Sequence, residues 1–181
     1  MKFKVYIILD NIRSRENVGS IFRTADAAGV GKIYLCGITP TPKIMEHGTW
    51  NMNQKTGFRF QDSSDKIHKT ALGAETYVPW EYCRETWRLI AKLKKEGINI
   101  VALEQTKESV NIFSAEGGSA SGGKFKPKFP LALVLGNEVR GLSPQILKYC
   151  GKKISIPMYG KKESLNVSVA AGVAIYQIKH S

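Results

Sequence analysis

Short apolar runs alternate along the chain with stretches whose apolar residues recur at helical spacing. The runs are rich in β-branched residues, which is typical of buried strands. They lie at 4–9, 32–36, 98–103, 131–135 and 153–156. Apolar residues recur at helical spacing in Asn17–Ala28, Glu81–Glu96 and Leu165–Ile178. The pair Ser143-Pro144 predicts the start of one more short helix. Strands joined through helices predict an α/β fold with a parallel sheet.

Two of these helices carry further information. In the first, Val18, Ile21 and Phe22 fall on one face, and Arg23 projects roughly opposite to them. The last helix is apolar on two sides, so it has to be covered twice. We expect one side to pack on the protein's own sheet and the other to contact a partner subunit.

The remaining segments have weaker patterns. Residues 39–61 predict an irregular excursion, 65–72 one or two helical turns, and Thr76–Trp80 the end of a strand. Residues 114–130 are rich in glycine, serine and lysine, which predicts a flexible basic insertion. Because the chain has 181 residues, we expect one domain over 1–181.

The composition favours a polyanionic partner. The formal net charge is +12 and the pI is about 9.7. Nucleic acid is the first candidate and an acidic membrane surface the second, with solubility alone as the plain alternative. The three cysteines show neither metal nor disulfide spacing, which favours a reducing cytoplasm. The three histidines lack ligand spacing, so we expect no metal, and no apolar run is long enough for a membrane span.

Three sequence motifs stand at the two ends of the chain. They read Asn17-Val-Gly-Ser-Ile-Phe-Arg-Thr-Ala, Leu135-Gly-Asn-Glu with Gly141-Leu-Ser, and Ile156-Pro-Met with Ser164-Leu-Asn-Val-Ser and Ala170. In this order they resemble the SpoU-type RNA methyltransferases of the SPOUT superfamily. The resemblance covers roughly the first thirty and last fifty residues, and the middle matches only in its alternation of strands and helices.

The resemblance implies an S-adenosylmethionine-dependent enzyme that methylates a ribose 2′-hydroxyl of RNA. It also implies a parallel sheet with helices on both faces, a deep C-terminal trefoil knot and a C2 homodimer. The cofactor would bind in the knot. The residues expected around it are Leu103, Leu135, Gly136, Asn137, Ile156, Met158, Ser164 and Leu165. The alternative is a non-catalytic RNA-binding protein that has kept this fold.

The resemblance further assigns a catalytic set. Its members are Arg23, Asn17, Glu138, Ser164 and Asn166. Arg23 would position and electrostatically activate the hydroxyl, or act as its base, at the other subunit's cofactor. Without the motif, Arg23 would be interpreted as an ordinary surface arginine in contact with solvent.

The other members of this set have plainer roles open to them. Asn17 is equally suited to capping its helix, and Ser164 and Asn166 stand at a helix start where both residue types cap. Glu138 could orient Arg23 or the substrate, or pair with Arg140.

Basic residues in loops are the candidates for phosphate binding. They are Arg13, Arg15, Lys124, Lys126, Lys161 and Lys162. Each one alone is more readily explained as a solvated charge, but the collective excess favours RNA. The separate N-terminal RNA-binding domain of larger relatives is not seen. We therefore expect recognition by the dimer, the basic loops or a partner protein, with tRNA slightly favoured over rRNA.

Overall fold

A seven-stranded parallel sheet forms the centre of the computed structural model, which describes residues 4–42, 64–114 and 125–181. The strands are β1 (Val5–Asp10), β2 (Lys32–Cys36), β3 (Trp80–Cys83), β4 (Asn99–Leu103), β5 (Val110–Asn111), β6 (Leu131–Leu135) and β7 (Lys152–Ser155). Their order across the sheet is β3-β2-β1-β6-β4-β7-β5, and every described pairing is parallel. The predicted α/β class is confirmed.

Helices cover both faces of this sheet. They are α1 (Arg15–Ala27), α2 (Ser64–Ala71), α3 (Ala74–Tyr77), α4 (Thr86–Lys95), α5 (Pro144–Tyr149) and α6 (Val167–Lys179). Buried residues of α1, α2, α3 and α6 share one apolar cluster, and those of α4 and α5 belong to another. The central strands are therefore buried on both sides, as all-parallel sheets require.

Two predicted boundaries around β3 are wrong. Residues 76–80 were expected to end a strand, but most of them belong to α3 and to the turn after it. The helix expected from Glu81 begins at Thr86, because Glu81 and Cys83 pair with β2 as part of β3. Cys83 happens to fit the helical spacing of Trp87 and Ile90, yet strand pairing decides its conformation. The two-residue strand β5 is too short to have a recognisable pattern.

The C-terminal part of the chain is inserted between earlier elements. Strand β7 lies between β4 and β5, which are joined by the six residues 104–109. Helix α6 then packs against α1, and Lys179 Nζ donates a hydrogen bond of 3.0 Å to the carbonyl of Gly29. Ala174 and Ile178 of α6 are fully buried, whereas Val169 and Tyr176 on its other side are about half exposed. As predicted, one side of the last helix is covered within the chain.

Some predictions fall outside the described residues. They are most of the excursion at 39–61, most of the insertion at 114–130, and Lys124. Within the described ranges, no helix is both long and apolar enough to cross a bilayer. Over the same ranges, no three His, Cys, Asp or Glu side chains are grouped as a metal site would need.

Candidate active site

A cavity of about 240 Å³ opens at the carboxyl ends of β4, β6 and β7. Ligands of open parallel sheets bind at this edge. Seven of the predicted cofactor residues line it, namely Leu103, Leu135, Gly136, Asn137, Ile156, Ser164 and Leu165. Met158 does not. Ile156 directly follows β7, and Gln105 holds its carbonyl at the cavity, whereas Met158 lies two residues farther from the strand.

The loop after β6 forms one wall of this cavity and is packed too tightly for a side chain at Gly136. A Cβ atom there would lie 2.5 Å from the backbone C of Gly141 and from the N of Leu142. Glu104, the first residue after β4, holds the loop from the other side, since its Oε2 accepts a hydrogen bond of 2.9 Å from Leu142 N. Glu104 is absent from the motifs, and its only sequence signal is a carboxylate directly after a buried strand.

Two other polar side chains hold the cavity wall. Asn137 Oδ1 accepts hydrogen bonds from the backbone N–H groups of Val139 and Arg140, at 3.0 and 3.1 Å. Its Nδ2 donates to the carbonyl of Asn11, 2.9 Å away. Gln105, which sequence reasoning also missed, donates through Nε2 to the carbonyl of Ile156 at 2.6 Å. The wall is therefore held in place by its own chain.

Glu138 ties this loop to the start of α1. Its carboxylate accepts hydrogen bonds from Ser14 N at 2.9 Å, from Arg13 N at 3.0 Å and from Asn17 Nδ2 at 3.2 Å. Partial burial by itself would raise the pKa of Glu138, but these hydrogen bonds outweigh it and lower the pKa below its usual range. The carboxylate is thus kept ionised at the positive end of a helix dipole.

Within one copy of the chain, Glu138 does not pair with Arg140 as one alternative predicted, and it does not contact Arg23 either. Its carboxylate contacts the amide groups of α1 and pairs with neither Arg23 nor Arg140. The reason lies in the tertiary structure. Strands β1 and β6 are neighbours, so the loops that follow them meet, and the free N–H groups of a helix start are strong partners for a carboxylate.

Asn17 does not cap its helix. Ser14 is the N-cap of α1, and its Oγ accepts from the N–H of Asn17 at 3.1 Å. The Asn17 side chain instead joins two other motifs: its Oδ1 accepts from Asn166 Nδ2 at 3.0 Å while its Nδ2 donates to Glu138. Residues from all three motifs therefore form one hydrogen-bonded chain at the cavity.

Asn166 and Ser164 divide the two roles proposed for them. Asn166 caps α6, since its Oδ1 accepts from Ser168 N at 2.9 Å, and it contacts Asn17 as well. Ser164 lines the cavity and is not part of the cap.

Arg23 lies on the exposed side of α1, opposite the buried Val18, Ile21 and Phe22, as predicted. It is not among the residues that line the cavity. Its guanidinium has no hydrogen bond or ion pair with any residue of the described ranges. One copy of the chain does not bring Arg23 to the cavity.

The basic residues predicted to bind RNA are spread over three places. Arg13 and Arg15 stand at the start of α1, and Lys161 and Lys162 are exposed in the loop between β7 and α6. Lys126 is exposed in the segment before β6. Their contact with RNA stays a prediction.

Comparison with known proteins identifies the family. The model of the SpoU rRNA Methylase family matches residues 4–176. The chain belongs to this family. A tRNA (guanosine(18)-2′-O)-methyltransferase of Aquifex aeolicus is 31% identical over 172 residues, which are 94% of this chain and 66% of that protein. A 23S rRNA (guanosine-2′-O-)-methyltransferase of Neisseria meningitidis is 30% identical over 96% of this chain and 57% of that protein.

A solved structure supports the same relationship. The AdoMet-bound rRNA methyltransferase of Sinorhizobium meliloti superposes with a TM-score of 0.73 at 25% identity, over 98% of this chain and 56% of that one. The SpoU chain described here thus spans between about half and two thirds of the length of these relatives.

Proposed function

We propose that this chain is an S-adenosylmethionine-dependent methyltransferase that acts on a ribose 2′-hydroxyl of RNA. The observation that carries the proposal is the hydrogen-bonded chain Glu138–Asn17–Asn166 beside the cavity. It joins residues up to 149 positions apart. Capping alone would not require this connection, because Ser14 already caps α1. The relatives named for 2′-O-methylation of tRNA and of 23S rRNA support the same reaction.

The cavity suits a methyl-donor nucleoside. Leu103, Ile156 and Leu165 provide apolar contact for a flat ring, and backbone groups of the Gly136 loop are close enough to read its edge. Glu104 and Glu138 place carboxylates in the lining, which favours a cationic ligand. When bound, S-adenosylmethionine supplies an electrophilic methyl group on its sulfonium.

The residues of this chain have separate tasks in the proposed reaction. Glu138 holds the start of α1 at the cavity and orients Asn17. Ser164 and Asn166 flank the entry and contact the cofactor or the ribose. Arg23 positions the hydroxyl and stabilises the negative charge that grows on its oxygen, at the cavity of a second copy. The basic loops bind the phosphates.

The exposed position of Arg23, away from the cavity of its own chain, supports a homodimer. The exposed apolar residues Leu165, Val169 and Tyr176 lie at or on α6, and they give the second copy a surface to cover.

We also infer the trefoil knot, which is supported by the insertion of β7 between β4 and β5. We further propose one domain over 1–181, with reduced cysteines in a cytoplasmic setting, since the three cysteines are free.

Two measurements test the activity. Calorimetry with S-adenosylmethionine should show binding to the folded protein, and mass mapping of nucleosides should find new 2′-O-methyl groups after incubation with total RNA. The mapping separates tRNA, which we favour slightly, from rRNA. Methylated bases in place of methylated ribose would refute the chemistry. RNA binding without any cofactor binding would identify the protein as a non-catalytic RNA-binding relative.

We predict that Arg23→Ala retains cofactor affinity and loses most of its turnover, about 100-fold or more, because the activating charge is removed. Lys95→Ala, which removes an exposed cation from the far end of α4, is the control and should keep its turnover. Unchanged turnover in Arg23→Ala would return Arg23 to an ordinary surface role.

A mixed dimer tests whether the arginine acts across subunits. An Arg23→Ala subunit paired with a Gly136→Ala subunit that no longer binds cofactor has one complete site if the arginine acts in trans. Equal mixing should then restore about a quarter of the wild-type activity. No recovery would place both groups in the same subunit.

A further inference from the structure

A second and larger cavity, of about 1000 Å³, lies behind the loop after β6. It opens beside Asp10 at the end of β1 and Gly37 just after β2, and it is bounded by the starts of α4 and α5. The residues that line both this cavity and the candidate cofactor cavity are Asn137, Val139, Arg140 and Gly141. A ligand in the larger cavity would thus be separated from the methyl donor by one short loop.

Three arginines surround this cavity, and we call it the arginine cavity. Arg13, Arg84 and Arg140 all line it and are all exposed. Within the described parts of the chain, none of their guanidinium groups makes a hydrogen bond or an ion pair. The nearby carboxylate of Glu85 is already paired with Arg88, at 2.6 Å. Unpaired guanidinium groups that line one space offer charged hydrogen-bond donors, which suit phosphate oxygens.

Asp10 adds an acceptor to the lining of the arginine cavity. It is 4% exposed, and its Oδ1 accepts hydrogen bonds from Thr86 Oγ1 and from Asn11 Nδ2. Its other oxygen, Oδ2, accepts none from the described residues. Burial raises the pKa of Asp10, while the hydrogen bonds from Thr86 and Asn11 act against this shift. Because Asp10 lines the cavity and this oxygen is not cut off from it, a ligand or water in the cavity can donate a hydrogen bond to Oδ2.

We propose that the arginine cavity binds a nucleotide of the RNA substrate, with the arginines on phosphate oxygens and Asp10 Oδ2 accepting a hydrogen bond from a base amino group. This inference rests on the proposed function, and it adds the place at which the protein recognises a base of the RNA. It favours cytosine, adenine or guanine over uracil, whose only Watson–Crick donor lies between two carbonyl oxygens that repel a carboxylate. An unstacked base is required, as is usual for sequence-specific RNA recognition.

The phosphate contacts are tested with single-stranded 12-nucleotide oligo(C) in fluorescence anisotropy, on the full chain, over a range of salt concentrations. Arg84→Gln should weaken binding about threefold to tenfold at low salt and reduce the slope of log K against log salt by about 0.7. Lys95→Gln is the matched control, because it removes one exposed charge from the opposite end of α4. Equal affinities and slopes for the two variants would overturn the proposal.

The base contact is tested by comparing oligo(C) with oligo(U). Wild-type protein should prefer oligo(C) about fivefold, the size of one hydrogen bond, and Asp10→Asn should remove that preference. A second measurement needs no variant: an oligonucleotide of N4,N4-dimethylcytidine, which lacks the amino donors, should bind wild type as weakly as oligo(U). Equal binding of all three oligonucleotides would overturn the role of Asp10.

Two further measurements separate this inference from the proposed function. Arg84 lies outside the cofactor cavity, so Arg84→Gln should keep the wild-type affinity for S-adenosylmethionine in calorimetry. Cofactor binding without an Arg84-dependent RNA affinity would overturn this inference and leave the proposed function intact. Poly-glutamate that binds through Arg84 as tightly as RNA would overturn it too, since the cavity would then accept an acidic peptide.

Discussion

Replacing Glu138 by glutamine removes the charge that holds the loop after β6 against the start of α1. Three donors point at this carboxylate: the backbone N–H groups of Arg13 and Ser14, and Nδ2 of Asn17. A hydrogen bond to a charged group contributes about 1.5–3 kcal/mol when buried. Because this group is partly exposed and water replaces lost partners, we expect about 0.5 kcal/mol for each donor, or about 1.5 kcal/mol in all. For a chain of this size the melting temperature should fall by about 3–6 °C.

The assay is urea denaturation at pH 7, with Glu163→Gln as the control. Glu163 is an exposed carboxylate with no hydrogen bond or ion pair to the described residues, so its replacement removes charge without removing a contact. We expect Glu138→Gln to lose stability and Glu163→Gln to keep that of wild type. Equal stabilities of the two variants would refute the reasoning about Glu138.

The same pair of proteins gives a pH test. The pKa of Glu138 is lowered from an ordinary value near 4.5, so its stabilisation is fully present above that value. The stabilisation is lost as the pH falls through the lowered pKa. The difference in unfolding free energy between wild type and Glu138→Gln should therefore shrink in acid. A difference that is constant down to strong acid would show that the charge is not its source.

Two other predictions follow from packing and burial. Gly19→Ala should destabilise the fold by about 2–3 kcal/mol, because its Cβ would lie 2.4 Å from the carbonyl of Ile67 and force α1 away from α2. The control Gly172→Ala, whose Cβ would meet nothing nearer than 3.7 Å, should unfold at the same or higher urea concentration; equal losses would contradict the packing argument. In a pulse of iodoacetamide followed by peptide mass mapping, Cys83 should react before Cys150. A hydrogen bond from Cys36 lowers the pKa of Cys83, whereas burial raises that of Cys150 to about 11, and the reverse order would refute this assignment.

The strands of the core could be predicted from local pattern because they are buried on both faces. The run Leu131–Leu135 has no polar residue, and it lies in the middle of the sheet between β1 and β4. At the edge of the sheet the pattern fails. Among the described residues, the segment Trp80–Cys83 pairs on one side only, with β2, and its mixed polarity resembles the start of a helix. Long-range pairing decides its conformation, and local spacing does not contain that information.

In the candidate site, too, local sequence predicts some residues and only the tertiary structure adds the others. The motifs predict that Gly136, Ile156 and Leu165 surround a cofactor, and these residues line one cavity because parallel strands end at one edge. Glu104 and Gln105 belong to no motif, and only the position of β4 between β6 and β7 brings them there. Met158 belongs to a motif but does not line the cavity.

The sequence by itself determined the fold class and the family, and it predicted a set of candidate site residues, since these depend on apolar runs and on residue types at short spacing. The tertiary structure alone decided which partners those side chains have. Glu138 meets the amides of α1 and Asn17 meets Asn166 because β1 and β6 are neighbours and α6 returns to pack on α1. The physical reason is that hydrogen bonds form between groups that are close in space, and the order of strands in the sheet sets that closeness for residues more than a hundred positions apart.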